Sequence, residues 1–246
     1  MQKILGLIVV CLYFSVCFAE NTYQTQIVNA EESFKKSNFS KAIEIYESLI
    51  QIEKVNNLYI YYNLSNAYYR NGNLGKAILN IEKALRLAPR DREIKNNTEY
   101  LNTVAGLVRQ KSFPDTFLQY FSLNEITAAS PVIAILFLTA LSLFVIKRKL
   151  ILKKAAAVSV VFLIICIPLF ALKVYNEIAV KEAIVLSTSN IRSGPGENNS
   201  DIFTTPEGKI VSVVSKNGNW NNIKTESENK SLTGWIENSA LGSINA

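Results

Sequence analysis

Two small sets of side chains have the types and spacing to do chemistry, and both suit binding better than bond-making. The first is a run of aromatics, amides and a cation at helical intervals: Tyr59, Tyr62, Asn63, Asn66, Tyr69 and Arg70. Tyr and Arg supply contact area and directed hydrogen bonds at interaction surfaces; the competing use of the same residues is packing against neighbouring helices. The second set is the two tryptophans. Trp220, beside a Gly-Asn turn, suits a ligand groove, whereas Trp235 suits the core of a very small β-domain. Bond-making has less to work with. The chain has no histidine, which excludes Ser-His-Asp and Cys-His catalysis, HExxH zinc chemistry and histidine proton shuttles. Carboxylate or lysine chemistry stays open, but no acidic pair stands in a recognisable motif. The expectation is a non-enzyme without metal or cofactor.

Charge points the same way once it is divided by region. The net charge of +6 resembles a nucleic-acid signal. From Glu20 to Ile126, however, 13 basic residues face 12 acidic ones, and from Val174 onward 6 face 8. The remaining basic residues, Lys3, Lys147, Arg148, Lys149, Lys153, Lys154 and Lys173, flank apolar runs. No phosphate-binding face is implied, so no nucleic-acid partner is expected. The three cysteines, Cys11, Cys17 and Cys166, all lie inside those runs and leave no pair for a disulfide elsewhere.

Three uncharged stretches must then place the binding sets: Ile4–Ala19, Ile126–Ile146 and Ala155–Leu172. The first follows Lys3 and ends with small residues at Cys17 and Ala19, the pattern of a secretory signal peptide over 1–19. An uncleaved anchor is the other use of such a segment. The second and third match the length of a bilayer span, and a buried hairpin in a soluble core is the alternative. The connection 147–154 carries five basic residues and is expected on the cytoplasmic side by the positive-inside rule. The sequence thus predicts a multidomain membrane protein with transmembrane helices at 126–146 and 155–173. It places the flanking domains, 20–105 and 174–246, outside the cytoplasm. Aromatics in 106–125, among them Phe113, Phe117, Tyr120 and Phe121, fit either an interfacial helix or ordinary core packing.

The region from Tyr23 to about Val104 has helical period. Its clearest unit is Leu58–Pro89, with Tyr61, Leu64, Ser65, Tyr68, Gly72, Ala77, Ile81, Ala84 and Pro89. This resembles a tetratricopeptide repeat, two antiparallel helices recurring about every 34 residues. A looser unit precedes it, through Ala30, Phe34, Ala42, Tyr46 and Leu49, without a turn glycine or a final proline. A third segment with Ile94, Thr98 and Leu101 is expected to cap the stack, its own start capped by Asp91 or a neighbour. Repeat stacks bind along the face lined by the first helix of each pair. The resemblance therefore implies a partner site on Tyr59, Tyr62, Asn63, Asn66, Tyr69 and Arg70.

After Lys173 the period changes, and short β-prone runs appear at 183–186, 201–204, 210–214, 221–224 and 232–236. Five short strands suggest an all-β SH3-like barrel. Asn190-Ile191-Arg192-Ser193-Gly194-Pro195, Gly218-Asn219-Trp220 and Gly234-Trp235-Ile236 are similar to the bacterial SH3 family. The order of parts across the whole chain resembles the BatE family, the tetratricopeptide member of the Bacteroides aerotolerance system. That resemblance implies a bacterial inner-membrane protein with periplasmic domains. Its partners would be other Bat proteins, including membrane proteins of the von Willebrand factor A type. The rival expectation is an envelope sensor whose SH3 domain binds peptidoglycan through Trp220.

Overall fold

The computed structural model describes residues 23–51, 56–107, 181–227 and 230–244, with isolated positions and short runs between 120 and 175. Five helices come first: α1 over residues 23–35, α2 (Phe39–Gln51), α3 (Leu58–Arg70), α4 (Leu74–Leu87) and α5 (Arg92–Val104). They stack as two helical hairpins and a covering helix. The side chains at the spaced positions within the two helices of the repeat motif are buried: Tyr61, Leu64, Ser65, Tyr68, Ala77, Ile81 and Ala84. Small residues at Ser65 and Ala77 bring α3 and α4 so close that the Ser65 hydroxyl donates to the Ala77 carbonyl at 2.7 Å. Pro89 ends α4. The Asp91 carboxylate then caps α5, accepting from the Glu93 and Ile94 amides at 2.9 and 3.0 Å.

The looser first unit forms the same turn as the second. Gly72 takes φ +81° between α3 and α4, and Ser37, 35 residues earlier, takes φ +61° between α1 and α2. In both, an amide reaches back five residues to a helix carbonyl, Asn73 to Tyr68 and Asn38 to Ser33, each at 2.9 Å. Such 6→1 closures satisfy carbonyls that the helix end leaves open. A serine here carries the steric cost of a left-handed backbone that a glycine avoids. The repeat is degenerate in sequence and regular in backbone.

The C-terminal region is a curled antiparallel sheet, a β half-barrel, in the order β3-β2-β6-β5-β4-β1-β7. Its strands are β1 (Lys181–Val185), β2 (Ser189–Arg192), β3 (Asp201–Thr205), β4 (Ile210–Asn217), β5 (Trp220–Ser227), β6 (Lys230–Glu237) and β7 (Leu241–Ser243). Alternation sends Ala183, Val185, Ile191, Val211, Ile223 and Ile236 into one core. Five strands were expected. The two others, β2 and β7, are short, and their residues are too few or too polar to show a period.

The opposite face of β1 is covered as well. Ile184, Ile210 and Ile244 belong to the helical core, alongside Ile78 and Leu79 of α4 and Leu107. Ile184 is fully buried although both its neighbours point the other way. A strand buried on both faces reads as a continuous apolar run, and Ala183-Ile184-Val185 is one. The helical and β regions therefore share a packed seam.

Glycine makes the seam close. A Cβ on Gly75 would lie 2.7 and 2.8 Å from the Leu186 carbonyl carbon and Cα, and one on Gly242 would lie 2.5 Å from Leu79 Cδ2. The amide of Gly75, in the first turn of α4, donates to Glu207 Oε1 at 2.6 Å. Asn73, the residue before α4, gives no side-chain cap. The β region thus supplies the carboxylate that a helix N-terminus favours. An Arg86–Glu182 ion pair flanks the seam; partly exposed, such a pair contributes at most about 1 kcal/mol.

The expected transmembrane hairpin requires correction. Among the described residues, no helix is long and apolar enough to cross a membrane. The regular helices α2 to α5 have 13 or 14 residues, about 20 Å of rise, and each keeps exposed polar positions. A bilayer span needs about 20 consecutive apolar residues. The supported fold class is a helical repeat region with a C-terminal β half-barrel. The signal peptide over 1–19, the basic connection 147–154 and most of 126–146 and 155–173 lie outside the described residues, as does most of 106–125. Where that last segment is described, Arg90 lies over the Tyr120 ring at 5.6 Å and pairs with Glu125. Ser122 and Glu125 cap each other reciprocally, at 2.9 and 3.2 Å, the arrangement that opens a helix.

Candidate partner-binding groove

Between α1 and α3 the helical stack leaves two adjoining hollows of about 290 and 220 Å³. Tyr23, Gln24 and Ile27 of α1 face Asn57, Tyr59 and Ile60 across the larger one. Phe34, Lys35 and Asn66 close the smaller. Glu31, Tyr46 and Asn63 line both. The helical period explains this lining: Tyr59, Asn63 and Asn66 recur every three or four residues and so form one stripe of α3. Asn57 fixes the start of that stripe, its side chain accepting from the Tyr59 amide at 2.8 Å.

Tyr46 forms the floor. Its ring is 1% exposed. Its hydroxyl is pushed up from the ordinary 10.0 to about 12, chiefly by burial and then by the negative charge of Glu31, with a hydrogen bond to Asn63 acting the other way. Burial also raises Tyr61, Tyr62 and Tyr68. An unfolded tyrosine ionises near pH 10, so the folded state holds these protons longer. Their stabilisation is whole below pH 10 and is lost as pH rises toward 12. Urea unfolding midpoints should fall steeply between pH 10 and 12. Tyr46→Phe should flatten that fall by on the order of 2 kcal/mol.

Of the residues expected to bind a partner, Tyr59, Asn63 and Asn66 come together in this groove, and Tyr59 is 67% exposed. The others pack against neighbouring helices. The Tyr62 hydroxyl donates to Glu93 Oε1 at 2.6 Å and accepts from Asn97 at 2.5 Å. Tyr69 meets Tyr100 edge to face with the hydroxyls 2.8 Å apart, and Arg70 lies 5.3 Å over the Phe39 ring. Sequence reasoning missed the α1 wall. The signal was present: moving Asn66, Tyr69 and Arg70 back by the 35-residue repeat gives Glu31, Phe34 and Lys35.

Trp220 belongs to a separate surface. It opens β5 opposite Glu237, and Asn222, two residues on, pairs with Trp235. Both tryptophans therefore occupy the sheet face away from Ile223 and Ile236. Trp235 is half-buried there rather than in the core, because Ile236 takes the inward position. Arg192 lies 5.4 Å over the Trp220 ring, donates to the Gly196 carbonyl at 3.2 Å and approaches Asp201 at 3.5 Å. It braces the turn that follows β2.

The comparisons with known families agree with this division. The bacterial SH3 domain matches residues 187–242. The tetratricopeptide repeat matches residues 58–91. No curated protein matches the chain. Both families are interaction domains without catalytic function, and they point to protein partners or peptidoglycan. The first helical hairpin lies outside the repeat match although its backbone has the same form.

Proposed function

We propose that the chain is a non-enzymatic periplasmic scaffold whose groove between α1 and α3 docks a partner protein. In this reading it helps assemble an envelope-stress complex of the kind to which the BatE resemblance points, with other Bat proteins, including those of the von Willebrand factor A type, as partners. The observation that carries it is a groove that the described half-barrel leaves open. The β half-barrel rests on α4, which contributes no residue to either hollow. Exposed Tyr59 and the amides of Asn63 and Asn66 stand ready for an extended segment. The signal-like residues 1–19 support export.

A photo-crosslinking phenylalanine at position 59 of the full chain, in its native cell, should capture one or a few proteins. Asn63→Ala with Asn66→Ala should reduce the capture at least fivefold. Capture unchanged by the double substitution would remove the groove from the account. The second reading, a peptidoglycan-binding sensor, rests on the Trp220 and Trp235 face of the half-barrel. Retention of the full chain on purified sacculi that Trp220→Ala abolishes, with no protein captured at position 59, would favour it.

A further inference from the structure

Resting on the groove reading above, we infer that the partner segment carries a lysine or arginine, and that Glu31 receives its cationic head. Among the described residues Glu31 is the one acidic residue lining the hollows, and it stands where the two meet. Its neighbours in the first hairpin are occupied. Glu32 holds Lys36 at 2.6 Å, Glu44 holds Lys41 at 3.0 Å, and Glu47 accepts from the Tyr68 hydroxyl. Across the stack, Glu93 accepts from Tyr62 at 2.6 Å. Among the described residues Glu31 makes no ion pair, although Lys35 lies one turn further along the same helix. A half-buried carboxylate that no described cation pairs with is an incomplete site, because water is partly excluded and a cation there is screened less than at an open surface.

The surroundings narrow the occupant. Tyr46 stays protonated through the neutral range and adds no charge to the floor. Asn57, Asn63 and Gln24 offer neutral hydrogen-bonding groups for peptide backbone, and Tyr59 and Tyr23 offer ring faces that also favour a cation. Lys35, on the smaller hollow with Asn66, repels a second positive charge. The groove is therefore polarised along its length, with its negative point at the centre. A single basic side chain flanked by uncharged residues is complementary to it; a poly-basic or acidic segment is not.

The test is selection of a phage-displayed library of random dodecapeptides on the intact chain, repeated on Glu31→Gln and on Tyr59→Ala with Asn63→Ala. Peptides selected by the unaltered chain should share one Lys or Arg position. Their affinity should fall at least tenfold with Glu31→Gln while circular dichroism is unchanged, and Glu31→Lys should shift selection toward Glu or Asp at that position. Several results would overturn the inference. Peptides that need Tyr59 and Asn63 but show no basic position, or are indifferent to Glu31→Gln, would leave the groove reading standing and remove the cation. Enrichment of acidic residues by the unaltered chain would do the same. Peptides indifferent to every groove substitution, or no selected peptide at all, would remove both readings. Self-association of the chain that Glu31→Gln abolishes would assign the groove to a second copy instead.

Discussion

Gly75→Ala should lower the thermal midpoint of the intact chain by about 4–8 °C, corresponding to roughly 2 kcal/mol in a protein of this size. The sign is the informative part. In an exposed helix, alanine is better than glycine by about 1 kcal/mol. At Gly75 the added methyl would meet backbone atoms of Leu186, not a flexible side-chain end. Backbone yields only by moving the whole β1 edge, and overpacking of this kind costs about 1–3 kcal/mol. That movement would also pull Glu207 from the Gly75 amide, removing a cap that contributes about 1 kcal/mol. Calorimetry of the full chain decides the matter: a midpoint unchanged or raised by the substitution means that the β half-barrel does not press on α4.

Ile184→Asp should uncouple the two regions. Ile184 is fully buried and packs in the helical core from a strand that also serves the half-barrel core. Ile184→Ala alone should cost about 2–5 kcal/mol, as large-to-small changes in cores do. An aspartate there buries an unpaired charge and costs more. The two regions report separately, because both tryptophans lie in the half-barrel while the far-ultraviolet signal is dominated by the helices. In the unaltered chain, tryptophan fluorescence and ellipticity at ~222 nm should fall together in urea, as one cooperative unit requires. In Ile184→Asp they should separate into two transitions. Coincident curves in the variant would show that the seam carries no coupling.

The two parts of the molecule differed in how far their residues disclosed them. Tyr61, Leu64, Ser65, Tyr68, Ala77, Ile81 and Ala84 repeat at a helical interval because each packs against its own hairpin, so local spacing was enough. The capping of α5 by Asp91 was legible for the same reason. The strands β2 and β7 were not, since four- and three-residue strands are too short for alternation to stand out. On the α4 side the seam was invisible to any local pattern, and on β1 its one local mark is the short apolar run Ala183-Ile184-Val185. Gly75 looks like an ordinary weak spot in a helix, and Glu207 like a solvated loop acid, until the half-barrel is placed against α4. The reading of 126–146 and 155–173 as a membrane hairpin rested on the length and lack of charge of each run, on the basic connection between them and on the signal-like start, which say what a segment can do and do not place it. Within the groove, α3 was legible because its aromatics and amides stand out. Glu31 was not, since one carboxylate among the four charged side chains Glu31, Glu32, Lys35 and Lys36 stands apart only when the pairing of its neighbours is known.

The covering of α4 by β1 has a consequence for how the protein is made. The two elements are separated by more than ninety residues, from Leu87 to Lys181. A ribosome adding roughly 5–20 residues per second needs on the order of 5–20 s to cover that distance. Throughout that interval the nascent chain lacks the β1 and β7 residues that pack beside Ile78 and Leu79 and has an α4 start without its carboxylate. Pairings this distant in sequence form late in any case. The helical hairpins are thus finished by the last quarter of the polypeptide, and a truncated or stalled product would expose an oily strip that holdase chaperones recognise.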